Sequence, residues 1–490
     1  MAEAATAVPV ETEAQKAKKI QWDKLDVPIE HLGRAITLPG DPGKMPIDKA
    51  IEALKRRLDT DNQMVKVHEL IDAYPLDALV AFVKAMTKLY GWASPVSTPS
   101  FFGPQPPHIL SVKTGHRDED VVQCPFGAFK LPGVDERINV TMAGSSKGDG
   151  SQALVIYGEI KQKDKHMVLE LATETRRIVR EQSIYKSKAI QLAVNDEGVL
   201  DISNPPVFMD TSKVSESDLI FNEHTTNQID TNILVPIKKT AECRKHKIPL
   251  KRGVLLEGPF GTGKTLVAAM TAKVAEENGW TYILLDRVQG LNTALQFANR
   301  YAPAIVFAED IDRIASERDD ATNDLINTID GVISKRTEIM VILTSNHADR
   351  LNPVILRPGR LDAVISLRAP DAETVTKLIR FYAGKLISAN IDLSSSSKEL
   401  EGQIPASIRE CVERAKLGMI GRGDNKLSDS DILISGQTMK NHLALLNKDD
   451  NKKTDADKLA ESLRNVVRNG SDKTLEKIQE QVDDIHSNVC

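Results

Sequence analysis

From Asp218 onward, short apolar runs alternate with longer stretches in which apolar residues recur at helical spacing. Residues 254–256, 282–285, 305–308, 339–343 and 364–367 are short, mostly aliphatic runs with little polar alternation. Runs of that length and continuity predict strands buried on both faces. Helical stretches separate them, and the first, residues 266–277, is stopped by Asn278-Gly279. The pattern predicts a five-stranded parallel α/β sheet covered on both sides by helices. After Asp371 the strand pattern stops, and residues 372–386, 406–417 and 438–446 predict a small helical domain.

Upstream, residues 27–210 predict a separate α+β N-terminal domain. Ile47, Ile51, Leu54 and Leu58 recur at helical spacing, giving an amphipathic helix over 48–58. Pro75 opens a second helix, with Leu76, Leu79, Val83, Met86 and Leu89 or their neighbours on one face. Residues 93–108, rich in Pro, Ser and Gly, predict a loop, as do 144–150. Residues 153–157 predict a strand, 166–180 a helix and 189–194 a further strand. The tail from residue 447 is charged and ends in a stripe of Leu475, Ile478, Val482 and Ile485.

Composition narrows the function. The 490 residues are 41% apolar and only 4% aromatic, so the cores are expected to be aliphatic. A net charge of −5 gives no electrostatic reason to expect bulk nucleic-acid binding, although a local basic channel stays open. Cys124, Cys243, Cys411 and Cys490 are widely spaced and form no C-x-x-C pair, which fits free thiols in a reducing compartment. No run approaches the roughly 18 apolar residues of a membrane span. Residues 1–19 lack the apolar core of a secretory signal and read as part of a flexible leader, 1–26. A cytoplasmic protein with no membrane partner is expected.

The chemistry centres on Gly258-Pro259-Phe260-Gly261-Thr262-Gly263-Lys264-Thr265, which fits G-x-x-x-x-G-K-[ST] between a predicted strand and a predicted helix. Such a loop brings backbone N–H groups and a helix N-terminus to phosphate. Residues 258–265, with Leu266, are the expected ATP-binding set. Lys264 would reach the β- and γ-phosphates, and the Thr265 hydroxyl would ligate Mg²⁺. The lysine side chain is expected to lie toward solvent when no nucleotide is bound. One strand–helix unit later, the run 304–308 ends in Glu309-Asp310. Glu309 is expected to hold Mg²⁺ through water, and Asp310 to orient and activate the attacking water. The run 339–343 ends in Thr344-Ser345-Asn346, whose amide could hold the water or the γ-phosphate. Arg357 and Arg360, three apart before the last predicted strand, read by themselves as a solvated helix end.

Together these blocks resemble the AAA family of P-loop ATPases, in family order. The resemblance rests on the phosphate loop, Ile305–Asp312, Thr344-Ser345-Asn346 and Leu356-Arg357-Pro358-Gly359-Arg360-Leu361-Asp362. Residues 325–331 match the segment before the fourth strand, and 402–415 (GQIPASIRECVERA) resemble the lid signature. The resemblance covers about 218–446. It implies an ATPase core at 213–370, a helical lid at 371–446 and a tail at 447–490. It also implies a homo-oligomeric ring, a hexamer, with ATP at each subunit interface. Asn346 would be sensor 1, Arg357 and Arg360 arginine fingers acting on the neighbour's ATP, and Asp330-Gly331 part of the intersubunit signalling segment.

Three departures stand out. The family's Asp-Glu is here Glu309-Asp310, an order that resembles the mitochondrial Rieske-protein translocase family, which implies that hydrolysis is kept; Asp310 is a methylene shorter than Glu, so a slow hydrolysis is expected. Pro405-Ala406-Ser407 replaces Gly-Ala-Asp in the lid, with adenine contacts expected to survive, and no arginine is evident at the lid position. The segment 285–303 is about ten residues shorter than in ring unfoldases, and its Arg287-Val288-Gln289-Gly290 turn offers no aromatic grip. The expected function is ATP hydrolysis in a ring that remodels or translocates an unidentified protein cargo bound by residues 27–210. A nucleic-acid motor or loader, and a slow nucleotide-gated structural or assembly ring, stay open as alternatives.

Overall fold

The structure, a computed structural model, describes residues 26–28, 44–91, 95–98, 101, 103–144, 152–195, 198, 200, 204–285, 287–311, 337–347 and 361–450. The strands, in chain order, begin with β1 (Asp26–Pro28), β2 (Lys44–Pro46), β3 (Met64–Ile71), β4 (Pro95–Val96) and β5 (His108–Lys113). Then come β6 (Val121–Lys130), β7 (Arg137–Gly144), β8 (Gln152–Lys161), β9 (Ala189–Leu192) and β10 (Val207–Phe208). The last are β11 (Arg252–Glu257), β12 (Thr281–Leu285), β13 (Ala304–Ala308), β14 (Ile339–Ser345) and β15 (Ala363–Ser366). The principal helices are α1 (Ile47–Asn62), α2 (Pro75–Tyr90), α3 (Lys165–Gln182), α4 (Lys264–Glu277) and α5 (Leu291–Arg300). Four more follow: α6 (Ala372–Ala383), α7 (Ser394–Leu400), α8 (Pro405–Arg422) and α9 (Asp429–Asp450). The described residues fall into two compact units, one from within 1–210, 275–308 and 334–340, the other from within 211–274, 309–333 and 341 onward.

In the first unit an antiparallel sheet runs β3-β8-β7-β6-β4, with β5 also paired to β6. Helices α2 and α3 pack together beside it. Pro75 sits in the first turn of α2, where its missing N–H costs nothing, and Gly91 closes the helix at φ 85°. Leu79, Val80, Phe82 and Met86 are buried, and the Phe82 and Phe129 rings meet edge-on at 4.9 Å between centroids. Helix α1 forms as its spacing predicts, but Ile51, Leu54 and Leu58 stay exposed.

The same unit holds strands of the parallel sheet. β12 and β13 pair in parallel with Tyr282 opposite Ile305, and every side chain of β13 is buried. Ala304 N–H continues the ladder to the Glu338 carbonyl at 3.0 Å, just before β14. Two further strands join those expected. β9 lies parallel to β12, with Ile190 opposite Ile283, and β10 is antiparallel to β9. Residues 189–192 therefore belong to this sheet and not to the upstream one, covering a β12 edge that would otherwise leave its N–H and C=O groups unpaired.

The segment after β12 forms a single 3₁₀ turn, Val288–Gly290, and then α5. Val288 is only 7% exposed. A Cβ on Gly290 would lie 2.7 Å from both Val194 γ-carbons, so this turn is packed against its own unit.

The few aromatics are concentrated in one place. Tyr74, Tyr185, Phe208, Phe297 and Tyr301 form a connected ring cluster where the start of α2 meets the end of α5. Asp77 is buried beside it. Its carboxylate accepts from Ile184 N–H (2.9 Å) and the Ser183 hydroxyl (2.7 Å), with the Tyr301 hydroxyl as a third partner. Tyr301 in turn accepts the Tyr74 N–H at 3.1 Å.

In the second unit the rest of β14, then β11 and β15, lie side by side. β11 and β15 are parallel, with Leu255 opposite Val364. Helices α6 to α9 form the small helical domain, with Leu378, Ile379, Leu400, Ile408, Val412 and Ile432 in its core. α7, with four serines in a row, has no apolar stripe to announce it. Among the described residues no helix is long and apolar enough to cross a membrane, and Cys124, Cys243 and Cys411 are buried free thiols.

Burial holds the Asp77 carboxyl above its ordinary value of 3.8, against the pull of its hydrogen-bond donors. The folded state therefore keeps the proton more readily than the unfolded chain. Asp77 contributes most to stability below pH 3.8, and the contribution is lost as pH rises through the higher folded value. Asp77→Asn keeps an acceptor for Ile184 N–H without the charge. Its unfolding free energy should gain on wild type as pH rises from acid to neutral, and a pH-independent difference would contradict this. Asp77→Ala should cost about 1–3 kcal/mol, because it strands buried donors.

Candidate active site

β11 ends at Glu257 and α4 starts at Lys264, and the six residues between turn back on themselves. Gly258, Gly261 and Gly263 take φ of 153°, 78° and 105°, which other residues rarely adopt. The space is as restrictive as the torsions. A Cβ on Gly258 would lie 2.4 Å from the Leu367 carbonyl oxygen, one on Gly261 2.9 Å from the Ala406 methyl, and one on Gly263 3.2 Å from the Phe221 ring. Buried Thr262 donates its hydroxyl to the Pro259 carbonyl at 2.9 Å and braces the loop.

Lys264 departs from its expected solvent-facing position. It is 9% exposed, and its Nζ donates to the Gly258 and Pro259 carbonyls at 2.6 and 2.9 Å. An ammonium needs acceptors when it leaves water, and the loop's own carbonyls supply them. It is poised across the mouth of the loop.

The ends of neighbouring strands bring the polar groups to this loop. Gly258 N–H donates to the Ser345 carbonyl at 3.2 Å, tying the end of β11 to the end of β14. The Thr265 hydroxyl donates to Glu309 Oε1 at 3.2 Å. Asn346 Nδ2 donates to Asp310 Oδ1 at 2.8 Å, and Asp310 N–H donates to the Thr344 hydroxyl at 3.1 Å. Asp310 itself has φ 54°. Thus Lys264, Thr265, Glu309, Asp310 and Asn346, far apart in sequence, line one cleft of roughly 970 Å³. Residues 260–263 and Leu266 line it as well, while Gly258 and Pro259 form the turn behind it. Arg357, Arg360 and the 325–331 segment lie outside the described residues.

The cleft also contains residues that the sequence did not single out. Phe221 precedes β11 and covers Gly263, while Phe381 and Tyr382 come from α6. Arg409 and Glu413 come from α8. Arg409 lies within the 402–415 stretch, so the lid segment brings an arginine to the cleft wall. Burial raises the Tyr382 phenol above its ordinary value, with the Arg409 charge opposing the shift. Pro405 opens α8 as its first-turn proline, and Ala406 N–H donates to the Gly261 carbonyl at 3.3 Å, docking the helix on the loop.

The glycine geometry makes a direct prediction. Gly258→Ala forces a methyl onto the Leu367 carbonyl, and the loop must shift to relieve it. Fluorescent ATP-analogue binding should fall at least tenfold while the far-ultraviolet circular dichroism stays native. Unchanged affinity would contradict the tight turn.

Comparison with known proteins agrees with this geometry. Residues 254–369 match the model of the ATPase family associated with various cellular activities (AAA). The chain is 29% identical over 250 residues to the ATP-dependent zinc metalloprotease FtsH of Thermus thermophilus, a match covering 47% of this chain and 40% of that one. It is 29% identical over 226 residues to the proteasome-activating nucleotidase of Methanosphaerula palustris, covering 42% and 54%. It is 28% identical over 244 residues to the 26S proteasome regulatory subunit 8 homolog of Schizosaccharomyces pombe, covering 44% and 60%. The chain spans about half the length of these curated relatives. Strand order, phosphate loop and family match converge: the chain carries an α/β P-loop ATPase domain of the AAA family.

Proposed function

We propose that the chain binds ATP with Mg²⁺ in this cleft, hydrolyses it, and works as a homo-oligomeric ring that remodels or translocates a protein partner. The observation that carries the catalytic part is a pair of contacts: Thr265 at the start of α4 with Glu309, and Asp310 with Asn346 past the strand ends, beside Lys264. A hydroxyl and a carboxylate within hydrogen-bond distance are the hard oxygen donors that suit Mg²⁺. Thr265 and Glu309 would hold it, and when bound it would neutralise charge on the phosphates.

In this reading Lys264 exchanges the Gly258 and Pro259 carbonyls for the β- and γ-phosphates. The backbone N–H groups of residues 261–265 and the N-terminus of α4 cradle the phosphates. Asp310 accepts a proton from the attacking water, oriented by the Asn346 amide. Phe221, Tyr382 and the start of α8 enclose the base, and Arg409 reaches the nucleotide from the lid. Arg357 and Arg360 serve the neighbouring subunit's ATP.

The relatives' names, two of them proteasomal and one a protease, support protein over nucleic acid as the partner. The packed Val288 turn supports a ring that does not grip peptide through that segment. Partner binding would then fall to residues 27–210. Removing residues 1–212 would strip β9 from β12 along with that region, so a truncation at that point does not test partner binding cleanly.

Lys264→Ala should lose ATP binding, with some loss of thermal stability because two loop hydrogen bonds go with it. Asp310→Asn should bind ATP but turn it over about 10²–10⁴-fold more slowly, since an amide cannot take the proton. Glu309→Gln should instead weaken the Mg²⁺ dependence. Steady-state phosphate release beside equilibrium ATP binding separates these cases; the reverse assignment of Glu309 and Asp310 would overturn the roles.

Arg357→Ala and Arg360→Ala should leave ATP binding in place and lower turnover, up to the roughly 10³–10⁵-fold contribution of an arginine finger. Mixing Arg357→Ala subunits with Asp310→Asn subunits should restore activity at mixed interfaces. No recovery at any ratio, in assemblies shown to be mixed, would contradict action between subunits.

A further inference from the structure

Three non-glycine residues among those described have positive φ: Ser187, Lys247 and Asp310. Ser187 sits in the turn closed by Lys188 N–H to the Tyr185 carbonyl, and Lys247 just past a helix end. Asp310 alone of the three lies in the nucleotide cleft. At φ 54° the side chain crowds its own backbone, and Asp and Asn bear this better than longer or branched residues. The backbone thus supplies a reason for the Glu309-Asp310 order. Position 309 carries the longer carboxylate to Thr265, while position 310 requires the residue that tolerates the left-handed turn.

Something must hold that turn. The end of β14 does so through two residues. Thr344, 1% exposed, accepts the Asp310 N–H on its hydroxyl, and Asn346 grips the Asp310 carboxylate. Thr344 is buried at the edge of the cleft, where little water competes for that N–H, so the bond fixes the backbone as well as the side-chain direction. We propose that Thr344 is a positioning residue for hydrolysis: its hydroxyl clamps Asp310 in the left-handed conformation that aims the carboxylate into the cleft, and this clamp selects Asp over Glu at 310. The inference rests on the reading of Asp310 as the group that activates water.

The test uses the full chain and four variants. kcat and KM for ATP are measured together with the dissociation constant of a non-hydrolysable ATP analogue and the thermal midpoint. Thr344→Val keeps the shape but removes the acceptor. Its kcat should fall at least tenfold, with KM and analogue affinity within twofold of wild type. Thr344→Ser restores the hydroxyl and should recover kcat to within threefold. Asp310→Glu keeps a carboxylate and adds a methylene, yet should also lose at least tenfold in kcat. Three results would overturn the inference. Thr344→Val could turn over ATP within twofold of wild type while Asp310→Asn is inactive. Thr344→Ser could be as slow as Thr344→Val, which would assign the effect to packing of the methyl. Asp310→Glu could match or exceed wild type. If Asp310→Asn itself turns over ATP like wild type, the role of Asp310 fails first and the clamp with it. Should Thr344→Val not fold, the Thr344→Ser and Asp310→Glu results still decide.

Discussion

The hydrogen bond from Gly258 N–H to the Ser345 carbonyl is a single link between the ends of neighbouring strands, and the site depends on it. It joins the strand that ends in the phosphate loop to the strand that ends in Asn346. In a parallel sheet the carboxyl ends of all strands point the same way, so polar residues placed just past those ends converge. Glu309 and Asp310 follow their strand by the same rule. The loop can then be tight because its glycines leave no Cβ to clash with Leu367, Ala406 or Phe221. Tightness in turn presents the Gly258 and Pro259 carbonyls to Lys264. The ammonium is thereby kept near the place where phosphate is proposed to bind, at the cost of exchanging one set of acceptors for another.

The first unit is governed by a different constraint. Its aromatic cluster and the buried Asp77 join the start of α2 to the end of α5 and to the backbone before β9. Residues far apart in sequence thus share one core, with β9 adding a strand to β12. The Asp77 carboxyl ties the first turn of α2 to Ile184 N–H and the Ser183 hydroxyl, just ahead of β9. A partner bound to residues 27–210 would act on a packed structure.

Much of this was legible in the sequence because it is local. Five strands show as apolar runs of the right length, and the phosphate loop shows because glycine spacing is itself the geometry. The residue order places Glu309, Asp310 and Asn346 just past strand ends and Thr265 at a helix start, but the contacts of Thr265 with Glu309 and of Asp310 with Asn346 come from the structure. The rest is set by tertiary context. β9 is four residues long and looks like part of the region before it. The ten-residue β6, VVQCPFGAFK, is broken by Pro125 and Gly127 and shows no clean alternation. Arg409 was visible, but not the face of α8 on which it lies. The direction of Lys264 depends on the Gly258 and Pro259 carbonyls, which leave no trace in residue order, and the positive φ of Asp310 cannot be read from the Glu309-Asp310 order alone.

The most direct measurement is a structure determined with a non-hydrolysable ATP analogue and Mg²⁺. The account predicts Lys264 Nζ moved from the Gly258 and Pro259 carbonyls to the β- and γ-phosphates. It also predicts the metal beside Thr265 and Glu309, with the Asp310 carboxylate facing the γ-phosphate through a water. A nucleotide bound with Lys264 still on its own loop, or with Asp310 turned away from the γ-phosphate, would contradict it.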